Sequence, residues 1–561
     1  MTGTQHLSIM SNDKDSNKMH DADLEKVVTC HNGEVEQTIG QPGTKRDIKS
    51  RHAQMIAIGG AIGTSLFVGS GQALAVGGPG YLLICYCLIS LMVYAVITAI
   101  IEVGTYLPVP GASMAYYATR VISPSVGFAL GWLYFYSFGI IVAYEITAAA
   151  IIIDYWPSSI HTAVWITIMI IVIIGLNLSP VGVYAETEFW FAGIKVIMII
   201  GLLVLSLVLM LGGGPTHDRL GFRFWSDPGA FNTLYVGGSG GYFTAFLYVW
   251  LYCGISFFFG PEMVISMVGE MRNPRKNLPR ASRQYFGRLV VFYILGAVAI
   301  GATCISTSEG LISGQGNANA SPWVIAIRNA SIPILPSIIN AGILTSAWSA
   351  GNAYLYLSSR SLYSLALAGN APKVFTRCTR YGLPIYAVAA SSCFTLLSYL
   401  SVSSQAGQVF NWFVSLTNTS GYTSWAVCCV ILLRFRKACN FQGVTLPYRA
   451  RIQPWASWIC LPIFVFLLLT NGFTVFYPGH WKLDSFLTNY LGIPIFLILW
   501  LGHKFTVGKM DSWIYDSSDV DLKSGLADVE AEAENWNQAQ MIKNEQKGEK
   551  GNTWWKKIRL C

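Results

Sequence analysis

Ile58-Gly59-Gly60-Ala61-Ile62-Gly63-Thr64-Ser65 lies inside an apolar run, residues 54–75, that is long enough to cross a bilayer as a helix. Gly59, Gly60 and Gly63 are poor helix formers, so the pattern predicts a span interrupted in mid-membrane. Lipid offers no partner to a freed backbone group, and non-helical backbone survives there only beside a cavity or buried in protein. The half-helix that restarts near Thr64 would point unpaired N–H groups and a positive dipole end into such a cavity. That end suits a carboxylate. Small residues also let two helices approach closely, and the motif alone leaves both readings open.

A second interruption is expected in the sixth apolar run. Ser256-Phe257-Phe258-Phe259-Gly260-Pro261-Glu262 places Gly-Pro in mid-membrane, followed directly by an acid. Proline removes a backbone donor and clashes with the preceding turn. Unwinding there would turn carbonyl oxygens toward the cavity, which suits an ammonium group; a plain proline kink is the alternative. Interruptions in the first and sixth spans are what inverted five-helix repeats produce, and together they favour a central binding site.

The rest of the chain fits that frame. Of 561 residues, 53% are hydrophobic and 12% charged, and the mean hydropathy is +0.47. A soluble domain carries about a quarter charged residues. About twelve apolar spans follow from the hydropathy, over 54–75, 79–107, 126–155, 164–178, 189–211 and 242–268, then 289–307, 334–357, 385–402, 409–433, 458–477 and 486–501. With the amino terminus inside, the inside loops gather Arg120, Arg272, Arg275, Lys276, Arg280, Arg283, Arg288, Lys373, Arg377, Arg380, Arg434, Arg436, Lys437, Arg449 and Arg451. The outside loops hold Arg219, Arg223, Arg328 and Lys482, as the positive-inside rule requires. The net charge of +8 thus serves orientation and does not speak for nucleic acid.

Three parts are expected: a cytosolic tail over 1–49, a transporter domain over 50–507, and a second cytosolic tail over 508–561. Both tails are polar enough to read as mostly disordered. Residues 1–49 hold no apolar stretch near their start, so the first span is expected to act as the insertion signal. The twelve cysteines form no CxxC pair and no Cys/His spacing suited to a metal, and no cofactor is implied.

Four ionisable residues fall inside or at the inner edge of spans: Glu102, Glu145, Lys195 and Glu262. A charge there costs at least about 2.5–3.5 kcal/mol, which makes function the default reading. An ion pair or snorkelling chain that ties helices together is the alternative, most plainly for Glu102 near the inner mouth. Lys195 lies about two turns (~10 Å) into the fifth span.

The stretch Gln54 to Ser65 resembles the opening helix of fungal amino acid permeases, within the amino acid–polyamine–organocation superfamily. The resemblance continues through Pro110-Gly111-Ala112-Ser113, Glu188-Phe189-Trp190-Phe191-Ala192-Gly193-Ile194-Lys195, Asn273-Pro274-Arg275-Lys276, Trp348-Ser349-Ala350-Gly351-Asn352 and Ala371-Pro372-Lys373. It covers roughly 49 to 504, in order. It implies an all-α membrane fold of about twelve helices, with a leucine-transporter-like five-plus-five inverted repeat and broken first and sixth helices. Plasma-membrane residence and proton-coupled uptake of amino acids are implied with it; neutral ones, proline included, are expected because no ionic residue is evident at the eighth-span pocket position. By the same resemblance, Gly63, Thr64 and Ser65 receive the substrate carboxylate, and carbonyls near Ala61, Ser256, Phe257 and Phe259 receive its ammonium. From the residues themselves, Phe258 and Phe259 would either cover the bound molecule or serve as ordinary helix packing, with Ser349 and Trp348 as candidates near its side chain. Lys195 falls where sodium-driven relatives of this fold hold a metal ion, so its ammonium would replace that ion. Glu262, Glu145 and Glu102 complete the expected proton-coupling set. Ser65 stands where the family usually has Gly, and Pro261 where it usually has Thr; both bear on substrate range.

Other classes fare worse. An enzyme would need a nucleophile or metal constellation, whereas His161, His217, His480 and His503 are scattered through loops and flanks. A non-transporting amino-acid sensor with the permease fold is the rival reading, though such proteins would bear longer tails. The partners expected are an amino acid, protons and the lipid bilayer. Lys14, Lys18 and Lys26 of the amino tail are candidates for a ubiquitin ligase and the endocytic machinery. Cys561, near Trp554 and Trp555, is either a lipid-modified end or an ordinary tail cysteine.

Overall fold

The computed structural model describes residues 62–538 and Met541, except 110–111, 158, 267, 269–270, 272, 313–320 and 404–405. Ala61, Gly59, Gly60, the amino tail and Cys561 lie outside the described residues. In chain order the main helices are α1 (Ser65–Tyr106), α2 (Met114–Val121), α3 (Pro124–Ile153), α4 (Thr162–Asn177), α5 (Val181–Met210), α6 (Gly238–Cys253) and α7 (Gly260–Ser266). There follow α8 (Pro274–Thr303), α9 (Leu335–Leu367), α10 (Ile385–Val402), α11 (Ala406–Gln442), α12 (Trp455–Thr470), α13 (Leu483–Tyr490) and α14 (Gly492–Thr506). Six spans combine the length and hydropathy to cross a bilayer: α1, α3, Gly182–Met210 of α5, α6 with α7, α8 and α10. A seventh is the pair α13 and α14, bent by 45°. The remaining main helices are either shorter, as α4 and α12 are, or more polar, as α9 and α11 are.

Two of the apolar runs meet in α1, which turns at Gly78. The backbone there has φ 76° and ψ 175°, a conformation that needs glycine, and Pro79 follows. Gly80 N donates to Ala230 O at 2.8 Å, so the loop before α6 answers the turn's freed backbone.

α3 and α9 form the centre, with the most extensive helix contact in the bundle, and both are buried along most of their length. Lipid tails are as apolar as these side chains, so close packing and internal polar bonds must hold the pair, with little hydrophobic drive. Helix α5 lies at the periphery. Trp190, Ile197 and Val204 face outward, while Glu188, Ala192, Lys195, Ile199 and Leu202 form a buried stripe at three- and four-residue spacing. That spacing carries Glu188 and Lys195 away from lipid, while Glu186, near the start of α5, is exposed. Its other face supplies the apolar coat.

The carboxyl tail departs from the disorder its polarity suggests. Residues 508–538 fold back over the end of the bundle that carries Tyr106 and Arg120. Tyr106 Oη donates to Leu522 O at 2.8 Å, Tyr515 N to Ile122 O at 2.9 Å, and Gln442 Nε2 to Val520 O at 2.8 Å. Val520, Leu522 and Val529 are buried beneath. Composition misses this because the tail is held largely through its backbone carbonyls, by donors on helix ends far away in sequence.

Candidate functional site

At the first interruption, Ile62 and Gly63 are non-helical and the helix starts at Thr64 with a π-helical turn, Ser65–Gly69. The carbonyls on the upstream side are held by α9, where Ser346 Oγ donates to Ile62 O at 3.0 Å and to Gly63 O at 3.5 Å. The donors on the downstream side meet α3. Thr64 N donates to Glu145 Oε1 at 3.4 Å, and Thr64 Oγ1 donates to Tyr144 Oη at 3.1 Å. A Cβ on Gly63 would stand 2.2 Å from Glu145 Oε1, so only a residue without a side chain leaves room for that carboxylate. Glu145 is buried, and its Oε2 has no hydrogen-bond partner among the described residues.

At the sixth interruption α6 ends at Cys253, a 3₁₀ turn covers Gly254–Ser256, and α7 begins at Gly260. Phe259 has φ 61°, a left-handed conformation rare for a bulky residue and worth roughly 1–3 kcal/mol of strain. Tyr293 Oη donates to Ser256 O at 3.0 Å, and Tyr354 Oη donates to Phe258 O at 3.4 Å. Each carbonyl oxygen keeps a second lone pair for another donor. The three phenylalanines pack in different directions. Phe257 meets Tyr86 and Tyr293, Phe258 meets Tyr422 and Trp425, and Phe259 meets Tyr134 and Phe138. All three are buried, Phe258 against α11, so their rings hold the interruption in place.

The ionisable residues separate into three clusters. Lys195 is fully buried, and the charges acting on it are those of Glu188 and Glu145. Glu188 is also fully buried; its Oε1 accepts a short hydrogen bond from Ser349 Oγ, and its Oε2 accepts from Asn352 Nδ2 at 3.4 Å. Ser349, expected near the substrate side chain, is thus engaged with this acid. Asn177 Nδ2 then donates to Asn352 Oδ1 at 2.8 Å, joining α4 to the same network.

Glu262 belongs to a second cluster. Ser424 Oγ donates to its Oε1 at 2.6 Å and lies 2.8 Å from Tyr134 Oη. Tyr134 and Glu145 share α3 but stand eleven residues apart, roughly 16 Å along the axis. Glu102 forms the third. Arg436 Nε donates to its Oε1 at 2.6 Å, Arg436 Nη2 donates to its Oε2 at 2.8 Å, and Ala450 N reaches Oε2 at 3.0 Å. Both oxygens are occupied by a two-pronged pair, the geometry of a helix tie.

Sequence reasoning passed over Glu188, Ser346, Tyr144, Tyr293 and Tyr354. Glu188 carried a usable signal, because it stands seven residues before Lys195 and so shares its face of α5. Serines and tyrosines are too common in such a chain to single out without the fold.

Two helices broken over buried polar groups, in a bundle coated by apolar side chains, define a polytopic membrane transporter. A family model described as amino acid permease matches residues 52–514. A proline-specific permease of Emericella nidulans is 42% identical over 90% of this chain and 92% of its own length. One of Saccharomyces cerevisiae is 41% identical over 87% and 79%, and a dicarboxylic amino acid permease of that yeast is 39% identical over 80% and 75%. The chain belongs to the amino acid permease family, and it is a membrane carrier of amino acids rather than an enzyme. In fold it is also similar to a manganese transporter of Eremococcus coleocola, with a TM-score of 0.51 at 13% identity over 87% of this chain and 94% of that one. Relatives named as permeases do not favour the sensor alternative.

Proposed function

We propose that the protein takes up neutral amino acids, proline among them, by proton symport across the plasma membrane. Both tails lie in the cytosol, and about twelve spans form two inverted five-helix repeats with two helices appended. The observation that carries this reading is the pairing of the two interruptions. Thr64 presents a backbone donor at a helix start, and Ser256 and Phe258 present carbonyls with spare lone pairs. A zwitterion needs both kinds of group within a few ångströms. Gly63, Thr64 and Ser65 receive its carboxylate, and the carbonyls near Ser256, Phe257 and Phe259 its ammonium. The proline-specific relatives support the substrate class.

Proton coupling is assigned to the buried group of Lys195, Glu145 and Glu188, which adjoins the carboxylate site through Glu145. Charges at that depth are costly enough that function is their default explanation. The test is uptake of a labelled amino-acid panel in permease-deficient cells, with and without a protonophore. Proline and other neutral amino acids should accumulate, and the protonophore should abolish accumulation. Lys195→Met should also abolish it. Accumulation that follows sodium and ignores the proton gradient would overturn the reading.

A further inference from the structure

We propose that Glu145 is an internal stand-in for the substrate carboxylate, which takes its place as Glu145 accepts the transported proton. The inference rests on the proton-symport reading above and names the group that carries the proton. Its basis is occupancy. The backbone donor expected to receive the substrate carboxylate, Thr64 N, already meets a carboxylate oxygen, Glu145 Oε1, at 3.4 Å. That oxygen fills the space a Cβ on Gly63 would take, at 2.2 Å. The ligand chemistry is therefore visible at the site: the start of α1 holds a carboxyl group, and that group belongs to the protein.

Bonding distinguishes Glu145 from its neighbours. Both oxygens of Glu188 accept hydrogen bonds, from Ser349 and Asn352, and Lys195 acts on it from the same face of α5. Glu145 has one long bond to Thr64 N and a second oxygen without a hydrogen-bond partner, at 3% exposure. Its charge is balanced by Lys195 and, at the one bonded oxygen, by the helix start. Once a substrate carboxylate takes that start, two carboxylates would share one set of donors, and such pairs keep a single charge. The proton comes from hydronium in the surrounding water, whose O–H bond breaks to leave a water molecule as a new O–H bond forms on a Glu145 oxygen. Besides Lys195 and, beyond it, Glu188 on α5, the titratable groups facing Glu145 are Tyr144 beside it on α3, Tyr293 on α8 and Tyr354 on α9. None of these tyrosines is anionic near neutral pH.

The test is direct binding of labelled proline to purified protein in detergent between pH 5 and 8, with proton uptake followed by a dye in weak buffer. Wild-type protein should take up protons as proline binds at pH 8, and its affinity should fall as pH rises from 5 to 8. Glu145→Gln mimics the protonated acid; it should bind proline equally at pH 5 and pH 8 and take up no proton. A folded glutamine variant that binds nothing, or one that keeps the pH slope, overturns the proposal. Should that variant not fold, Glu145→Asp decides. Its shorter chain withdraws the carboxylate from Thr64 N, so the slope should flatten, and an unchanged slope refutes the stand-in. The two readings fail separately. Wild-type accumulation without a proton gradient removes symport itself, whereas gradient-driven accumulation by Glu145→Gln removes Glu145 alone.

Discussion

The two interrupted helices solve the same problem with opposite chemistry. At the first, the freed groups that face the site include an N–H, and a carboxylate answers it. At the sixth they are carbonyls, and tyrosine hydroxyls answer them. A carboxylate can change its charge in the working range of pH, while a phenol stays neutral there. Among the groups that answer the freed backbone, the difference places a titratable one at the first interruption and neutral ones at the sixth, where the nearest acid, Glu262 in the first turn of α7, is bound by Ser424 instead. One hydroxyl joins them: Tyr293 Oη donates to Ser256 O and lies 3.2 Å from Ser65 Oγ.

Gly63→Leu should break the comparison outright. Its Cβ alone would collide with Glu145 Oε1, and the remaining atoms would fill the space a ligand carboxylate needs. Uptake should be lost while the protein still reaches the cell surface, measured by labelled proline and surface immunoblot. Normal uptake would mean that the first interruption does not hold the substrate.

Arg436→Ala should have the next largest effect, on stability. It leaves Glu102 buried and unpaired, a change that costs about 3–5 kcal/mol. The melting temperature of purified protein should drop markedly. The pH profile of proline binding by the protein that remains folded should not move, because this pair has no bond to either interruption. A shifted profile would make Glu102 part of the coupling machinery after all.

Tyr293→Phe sharpens the contrast. It removes a neutral hydroxyl and leaves Ser256 O one donor short, a loss of about tenfold in proline affinity. The fall should be the same at pH 5 and pH 8. A pH-dependent loss would show that the sixth interruption senses protons as well.

What could be read in the chain follows the reach of each signal. The glycine spacing before Thr64 and the Gly260-Pro261 pair are local, and both mark helix breaks. Buried ions announce themselves by cost, so Glu102, Glu145, Lys195 and Glu262 were all visible as residues needing a reason. Their partners were not. Arg436 lies 334 residues from Glu102, and Thr64 lies 81 residues from Glu145. Nothing in local pattern links such positions, and the separation of tie from site depends on those links.

The smallest effect is expected at the carboxyl tail, where a charge also sits but does a different job. Arg120 donates from Nε to Asp521 O at 2.5 Å and from Nη2 to Ser524 O at 2.6 Å, and pairs with Asp521 Oδ2 at 2.9 Å. Partial burial opposes ionisation of Asp521, yet the Ser524 N–H and hydroxyl, with Arg120, outweigh it and hold the carboxyl below the usual range. A depressed value means the ionic contribution is complete above the unfolded-state value, about 3.9, and is lost only as pH falls through the folded one. The Arg120–Asp521 contact should therefore be constant between pH 5 and 8, the range in which proline binding varies. Arg120→Ala removes contacts that are partly solvent-exposed, and Gln442, Tyr106 and Lys504 still hold the strap. Proteolysis within 508–538 should quicken by no more than about fivefold, a change of about 1 kcal/mol. Proline affinity should stay within about twofold of wild type, because exposed pairs of this kind contribute little. Mass spectrometry of timed subtilisin digests measures the first, and the binding assay the second. If tail cleavage in the wild type instead varied steeply between pH 5 and 8, Asp521 would be titrating there, and the carboxylate at the first interruption would not be alone in sensing protons.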